Sequence, residues 1–170
     1  MLTQSAALLL VDYKLWADEL TFDAVAALPP GEAHRERSTL FGSIVNTLNH
    51  SYVVDLIWRA HLEGRDHPFT SRRVVMHEDV PELRKAQHSC NEWLKGWCLK
   101  QSDATLSEGI TVRFISGHRA QMSRGAIVLH IVNHATYHRG YVSDLFYQIA
   151  AKPPTTDLCL YPGILTSAAA

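Results

Sequence analysis

The sequence is poor in what staples small secreted domains. Its three cysteines, Cys90, Cys98 and Cys159, are an odd number without a C-x-x-C pair. That is a weak disulfide framework and suits a reducing compartment. A long apolar run is also missing. Ala6 to Val11 is followed at once by Asp12, Lys14 and Asp18, far short of the about 20 apolar residues that cross a bilayer. Neither a basic leader nor a small-residue cleavage site precedes it, so a cytoplasmic protein is expected. Charge of one sign is absent too: Lys plus Arg number 16 and Asp plus Glu 17, for a net charge of -1. Nucleic acids and anionic membranes are held by clustered positive charge, and no such surplus exists. No repeat or low-complexity segment marks a second domain, and 170 residues fit one domain spanning the whole chain.

What is present in excess is histidine, with 10 against 3 methionines and 5 phenylalanines. Histidine is the commonest protein ligand for transition metals, so the placement of these residues matters.

Helical spacing recurs in four stretches. The first runs from about Ser5 to Leu28 and stops at Pro29-Pro30-Gly31, with Leu8, Val11, Leu15, Phe22 and Val25 on its apolar side. The second starts at Ser38 or Ser43, either able to cap it, and continues to about Glu63 before Gly64. Gly64 to Val80 reads as a loop. Asp79 caps a third helix with Pro81 in its first turn, running to about Lys100. Thr111 to Ile115 alternates like a strand, Ser116-Gly117 is a turn, and Ala120 to Met122 returns. The fourth helix spans about Ser123 to Ala151, before Pro153-Pro154, and Ala168 to Ala170 reads as a frayed tail. The pattern predicts an all-α four-helix bundle with a small β-hairpin between helices three and four.

The fourth helix carries His130, His134 and His138. Residues four apart lie about 6 Å apart along a helix and point nearly the same way. Two such imidazoles can converge on one ion. Ile127, Ile131, His134, His138, Tyr141 and Leu145 are spaced by four and three in alternation, a seam facing a bundle core. His134 and His138 thus stand where Leu or Ile is the default, and a buried imidazole needs partners. In the second helix Thr47, His50, Val54 and Ile57 form a similar stripe. Three nitrogen ligands with an open position are the pattern of a catalytic zinc site. The alternative is core histidines satisfied by Asn, Tyr or backbone groups. His130 lies on the flank of the seam. His34, His61, His67, His77, His88 and His118 fall in loops or on other faces and read as surface residues.

These residues resemble the DinB/YfiT-like family. The likeness rests on Thr47-Leu48-Asn49-His50 with Asp55 and Trp58, and on Val132-Asn133-His134-Ala135-Thr136-Tyr137-His138-Arg139-Gly140. Tyr13 with Trp16, and Pro153-Pro154 with Asp157, extend it over nearly the whole chain. The resemblance implies an up-down-down-up bundle with a crossover between helices two and three. It also implies a site for a divalent ion, zinc or nickel, on His50, His134 and His138, and frequent homodimers. Lys14 and Asp18 stand where the family often has Asn, and Tyr141 where Gln often follows the Arg-Gly pair. Active members include transferases dependent on low-molecular-weight thiols and an isomerase.

Two functions compete. The first is a metal-dependent hydrolase or thiol-dependent S-transferase acting on a small-molecule substrate, in which the ion activates water or a low-molecular-weight thiol. Tyr13, Trp16 and Tyr137 would line its cleft, and Arg139 would hold an acidic group, unless they are core fillers and an exposed arginine. Asp55 and Glu92 are candidate acid–base groups, each otherwise a solvated or capping carboxylate. The second is a non-catalytic, stress-associated homodimer in which the ion locks helices two and four. A DNA-binding regulator is a weaker reading, opposed by the charge balance and the lack of a recognition helix. Trp93 and Trp97 can serve as interface anchors or as core.

Overall fold

Each helix begins where an oxygen side chain can take an otherwise unpaired backbone N–H. In the computed structural model, which describes residues 2–165, α1 spans Gln4–Ala26, α2 Ile44–Leu62, α3 Val80–Cys98, a short α4 Asp103–Ser107 and α5 Arg124–Tyr147. Their N-caps are Thr3, Ser43, Asp79, Ser102 and Ser123, each accepting from a backbone N–H in the first turn. Such a cap is typically worth about 1 kcal/mol. Of the two serines that can start α2, Ser43 does so, because Gly42 before it turns the chain at φ 80°. The four long helices end one to four residues earlier than the apolar spacing predicts. After α5 the chain leaves the helix and Ala150 takes a left-handed φ of 56°.

The hairpin pairs β1, Gly109–Arg113, with β2, Arg119–Ser123, in antiparallel register with Val112 opposite Ala120. β1 lies two residues earlier than the alternation predicts, while β2 contains the expected Ala120 to Met122. Phe114 and Ile115 belong to the turn, where Phe114 N–H donates to His118 O and Gly117 sits at φ 85°. Val112 is the residue that the hairpin buries in the core.

Contacts between side chains fix the topology. α1 runs antiparallel to α3, since Gln4 reaches the carbonyls of Cys98 and Leu99 while Glu19 pairs with Arg84. α2 runs antiparallel to α5, with His50 against His138 and Trp58 against His130. α2 and α3 are parallel, joined by Asp55–Gln87 and by Arg59 over Trp93. Leu2 beside Gly125 and Asp18 on Arg139 make α1 and α5 parallel. The helices are therefore ordered α1, α3, α2, α5 around the bundle, running up, down, down and up. The crossover that the resemblance implies is the loop between α2 and α3.

Two apolar layers form the core. One gathers Ala7, Val11, Val54, Trp58, Leu94 and Ile127; the other gathers Phe22, Val25, Ile44, Leu83, Val142 and Phe146. Full burial of each large apolar side chain contributes about 1.5–3 kcal/mol. Between these layers the same four helices place a polar layer: Lys14 and Asp18, His50 and Asp55, Gln87 and Asn91, and His134, His138 and Arg139. Beyond α5 the chain returns over α1, where Tyr161 packs on Tyr13 and Trp16, and Tyr13 Oη donates to Thr156 O at 2.7 Å. The alanines at 168–170 lie outside the described residues.

Candidate metal centre

The polar layer has two halves. On the α1–α3 side, Lys14 has no exposure at all. Its Nζ donates to Asp18 and Asp55 at 2.8 Å each and to Asn91 at 2.6 Å. Arg139 donates to Asp18, Tyr13 Oη and Thr136 Oγ1. Two cations thus face two carboxylates. Burial opposes charge on Asp18, yet Lys14 and Arg139 together hold its carboxyl below the usual range. Asp55 has Lys14 alone, and there burial wins and raises the carboxyl. Lys14 sits between both anions and stays protonated, its ammonium pushed upward despite its burial.

The α2–α5 half is made of imidazoles. One ring nitrogen from each of His50, His134 and His138 lies within 4.8 Å of the others. His50 Nδ1 donates to the carbonyl of Arg72 at 2.9 Å. That bond places the proton on Nδ1 and leaves a lone pair on Nε2, which lies 3.1 Å from His138 Nε2. Two nitrogens at about 2.0–2.1 Å from a tetrahedral ion stand about 3.3 Å apart, so the His50 and His138 nitrogens already have the spacing of two ligands. His134 Nδ1 and His138 Nδ1 are buried without a hydrogen-bond partner. A buried polar atom left unpaired costs about 1–3 kcal/mol, so this layer is held at some cost in stability. Burial pushes His134 down to about 2, with the other three rings adding to the shift. Burial, then His50 and Arg72, push His138 down to about 4. His50 is lowered too, chiefly by burial. The rings are neutral at pH 7, the form that ligates a metal. Three neutral nitrogens of this spacing fit a zinc-like ion.

The loop from α2 to α3 is tied to this site by consecutive residues. Asn49 Oδ1 accepts from the N–H groups of Met76 and His77, and its Nδ2 donates to His77 O. His50 holds Arg72. The Asn-His pair therefore clamps the crossover over the cluster. Phe41 stacks on the His50 ring at 4.2 Å, and Tyr141 stacks on His138 at 5.6 Å.

A cavity of about 680 Å³ opens beside the cluster, with His134 and His130 in its wall and Trp58, Ile57 and Phe114 as apolar surface. Its size suits a small molecule. Trp58 and Phe114 come from α2 and the hairpin turn, so helical periodicity alone did not single out this cavity. Val54 and Ile57 stand on the α2 stripe and Trp58 is part of the family likeness, but nothing in the sequence joins them to Phe114.

Other expectations are corrected. Tyr13 and Trp16 do not line the histidine cleft; they lie across α5, under the returning chain, against Val132 and Tyr161. Tyr137 stays at the rim, 60% exposed and 5.2 Å from the His138 ring. Arg139 is not an exposed arginine but 4% exposed within the ion network. Asp55 is neither solvated nor a cap, being 2% exposed on Lys14, whereas Glu92 is exposed on α3 and away from the cluster. His130 stacks edge-on to Trp58 and is not one of the converging three. His61 and His67 are buried rather than on the surface, because both bond the carbonyl of Arg113 in the hairpin. His34, His88 and His118 are exposed and His77 is half-buried. Trp93 and Trp97 are half-buried against the first apolar layer.

With that geometry in place, comparisons with known proteins give the following. The DinB family model matches residues 1–164. Protein DinB of Bacillus subtilis (strain 168) is 26% identical over 161 residues, covering 89% of this chain and 91% of that protein.

Proposed function

Because this chain belongs to the DinB family, we propose that its three converging imidazoles hold one divalent ion for catalysis. The carrying observation is the triad itself: His50, His134 and His138 each bring one ring nitrogen within 4.8 Å of the other two, and His134 also lines the cavity. Zinc and nickel both suit neutral nitrogen ligands. Such an ion lowers the pKa of a bound water or thiol and polarises an acceptor group.

The residues of the chain supply the rest. The Arg72 carbonyl fixes the tautomer of His50, as outer partners of metal-bound histidines do. Phe41 and Tyr141 cover the rings and keep bulk water from them. His134 belongs both to the triad and to the cavity wall, so a molecule in the cavity lies next to the ion. This arrangement supports hydrolysis of a small molecule, or transfer of a low-molecular-weight thiol to one, in the cytoplasm. Leu129, Tyr137 and Tyr147, exposed along α5, support a homodimer.

Cobalt substitution tests the reading. The protein is expected to bind cobalt with a visible d–d spectrum, which shifts when a low-molecular-weight thiol or azide is added. A cobalt spectrum indifferent to both would favour the non-catalytic ion, closed by protein groups. Failure to bind cobalt would end the proposal.

A further inference from the structure

The cavity beside the histidines has an unbalanced wall. Its surface is largely apolar, from Trp58, Ile57 and Phe114, yet two arginines, Arg72 and Arg113, also line it. No carboxylate does. Arg113 is partly engaged: Nη2 donates to His67 O at 3.1 Å and Nε stands 3.5 Å from Asp66. The Arg72 guanidinium has no carboxylate within ion-pair reach and no hydrogen-bond acceptor among the described residues. Its position is nevertheless fixed at the backbone, because His50 holds the Arg72 carbonyl at 2.9 Å. An unpaired cation in the lining of a largely apolar cavity is suited to an anion carried on an apolar body. A guanidinium takes a carboxylate or sulfonate through two parallel hydrogen bonds and gains most where aromatic walls exclude water.

We propose that this cavity binds a flat aromatic small molecule bearing one anionic group, with Arg72 reading the charge and Trp58 and Phe114 gripping the ring. The anion end lies on the Arg72 side and the aromatic body along Trp58, which brings the remainder of the molecule to His134. Arg72 is then the residue that decides specificity, and Trp58 contributes affinity without regard to charge. As a substrate assignment this rests on the proposed metal centre; as a binding site it does not.

A matched pair of fluorescent ligands separates the two contributions. Anilinonaphthalene sulfonate is aromatic and anionic, and N-phenyl-1-naphthylamine is its neutral counterpart. Both are titrated into chelator-stripped wild type, Arg72→Gln, Arg72→Lys and Trp58→Ala. Wild type is expected to bind the sulfonate saturably, with one site per chain. Arg72→Gln should weaken the sulfonate about tenfold and the neutral ligand less than about twofold. Arg72→Lys should fall between, and Trp58→Ala should weaken both. Arg72 is exposed and its side chain bonds nothing, so these Arg72 variants should fold as wild type does. Absence of saturable sulfonate binding, an unchanged Arg72→Gln affinity, or equal loss of both ligands would overturn the proposal. Zinc binding is measured on the same samples. Charge-selective ligand binding without zinc binding would sink the metal centre alone.

Discussion

The two halves of the polar layer are buried alike and built from opposite principles. On the α1–α3 side two cations meet two anions, and Asn91 and Gln87 take further bonds. Only Asp55 Oδ1 and Arg139 Nε are left over. On the α2–α5 side three neutral rings face one another, and two of their nitrogens have no partner. The first half balances charge against charge within the chain, so its work is structural: it fixes the register of α1 against α2, α3 and α5. The second half brings together three neutral nitrogens with no counter-charge among the described residues, an arrangement that could hold a cation. Burial of polar groups does not by itself mark a functional site; convergence of ligand-type nitrogens without a counter-charge is the more telling feature.

Acid should strain the histidine half first and reach Asp18 only at lower pH, and the effect is the largest expected. In metal-stripped protein the three rings sit below their ordinary value of 6.5, so the unfolded chain binds more protons there. Stability therefore falls as pH drops from 6.5 through about 4 for His138 and on toward about 2 for His134. Asp18, held below its ordinary 3.8, contributes stability that is present above that value and lost as pH falls through its lower folded pKa. Urea midpoints measured across pH check this, and His134→Leu should flatten the upper window while leaving the lower one.

Lys14→Met comes next. It leaves Asp55 in the core without a cation, Asp18 keeping Arg139, and should cost about 3–5 kcal/mol in urea unfolding. A loss below about 1 kcal/mol would mean that water enters the layer. Asn49→Ala should cost about 2 kcal/mol, because it frees two N–H groups and a carbonyl of the crossover. Hydrogen exchange at Met76 and His77 should quicken accordingly. The smallest effect has the opposite sign. Without metal, His134→Leu should change stability by no more than about 1 kcal/mol and in the stabilising direction, since it removes an unpaired nitrogen and fills the same space.

Much of this was legible in the residues. Four amphipathic stretches and a hairpin with a Ser-Gly turn give the bundle, and the seam from Ile127 to Leu145 turns His134 and His138 inward. The ion network was not legible, for a physical reason: Lys14 and Asp18, four apart, look like a solvent-exposed helix pair until α2, α3 and α5 close over them. Arg139 beside a glycine is equally ambiguous before Asp18 is opposite it. The short α4 carries a capping box of Ser102 with Thr105, too brief for periodicity to register. The burial of His61 and His67 depends on one hairpin carbonyl, that of Arg113, which no spacing within either segment announces. The cavity of Trp58 and Phe114 likewise exists only once the hairpin folds over α2.

The most direct test is metal content by mass spectrometry on tag-free wild type, His50→Ala and His134→Ala. About one divalent ion per chain in wild type, lost in both variants, is the expected result for a three-histidine site. Wild type without metal, even after incubation with zinc or nickel, would contradict the account and leave the three imidazoles as core groups.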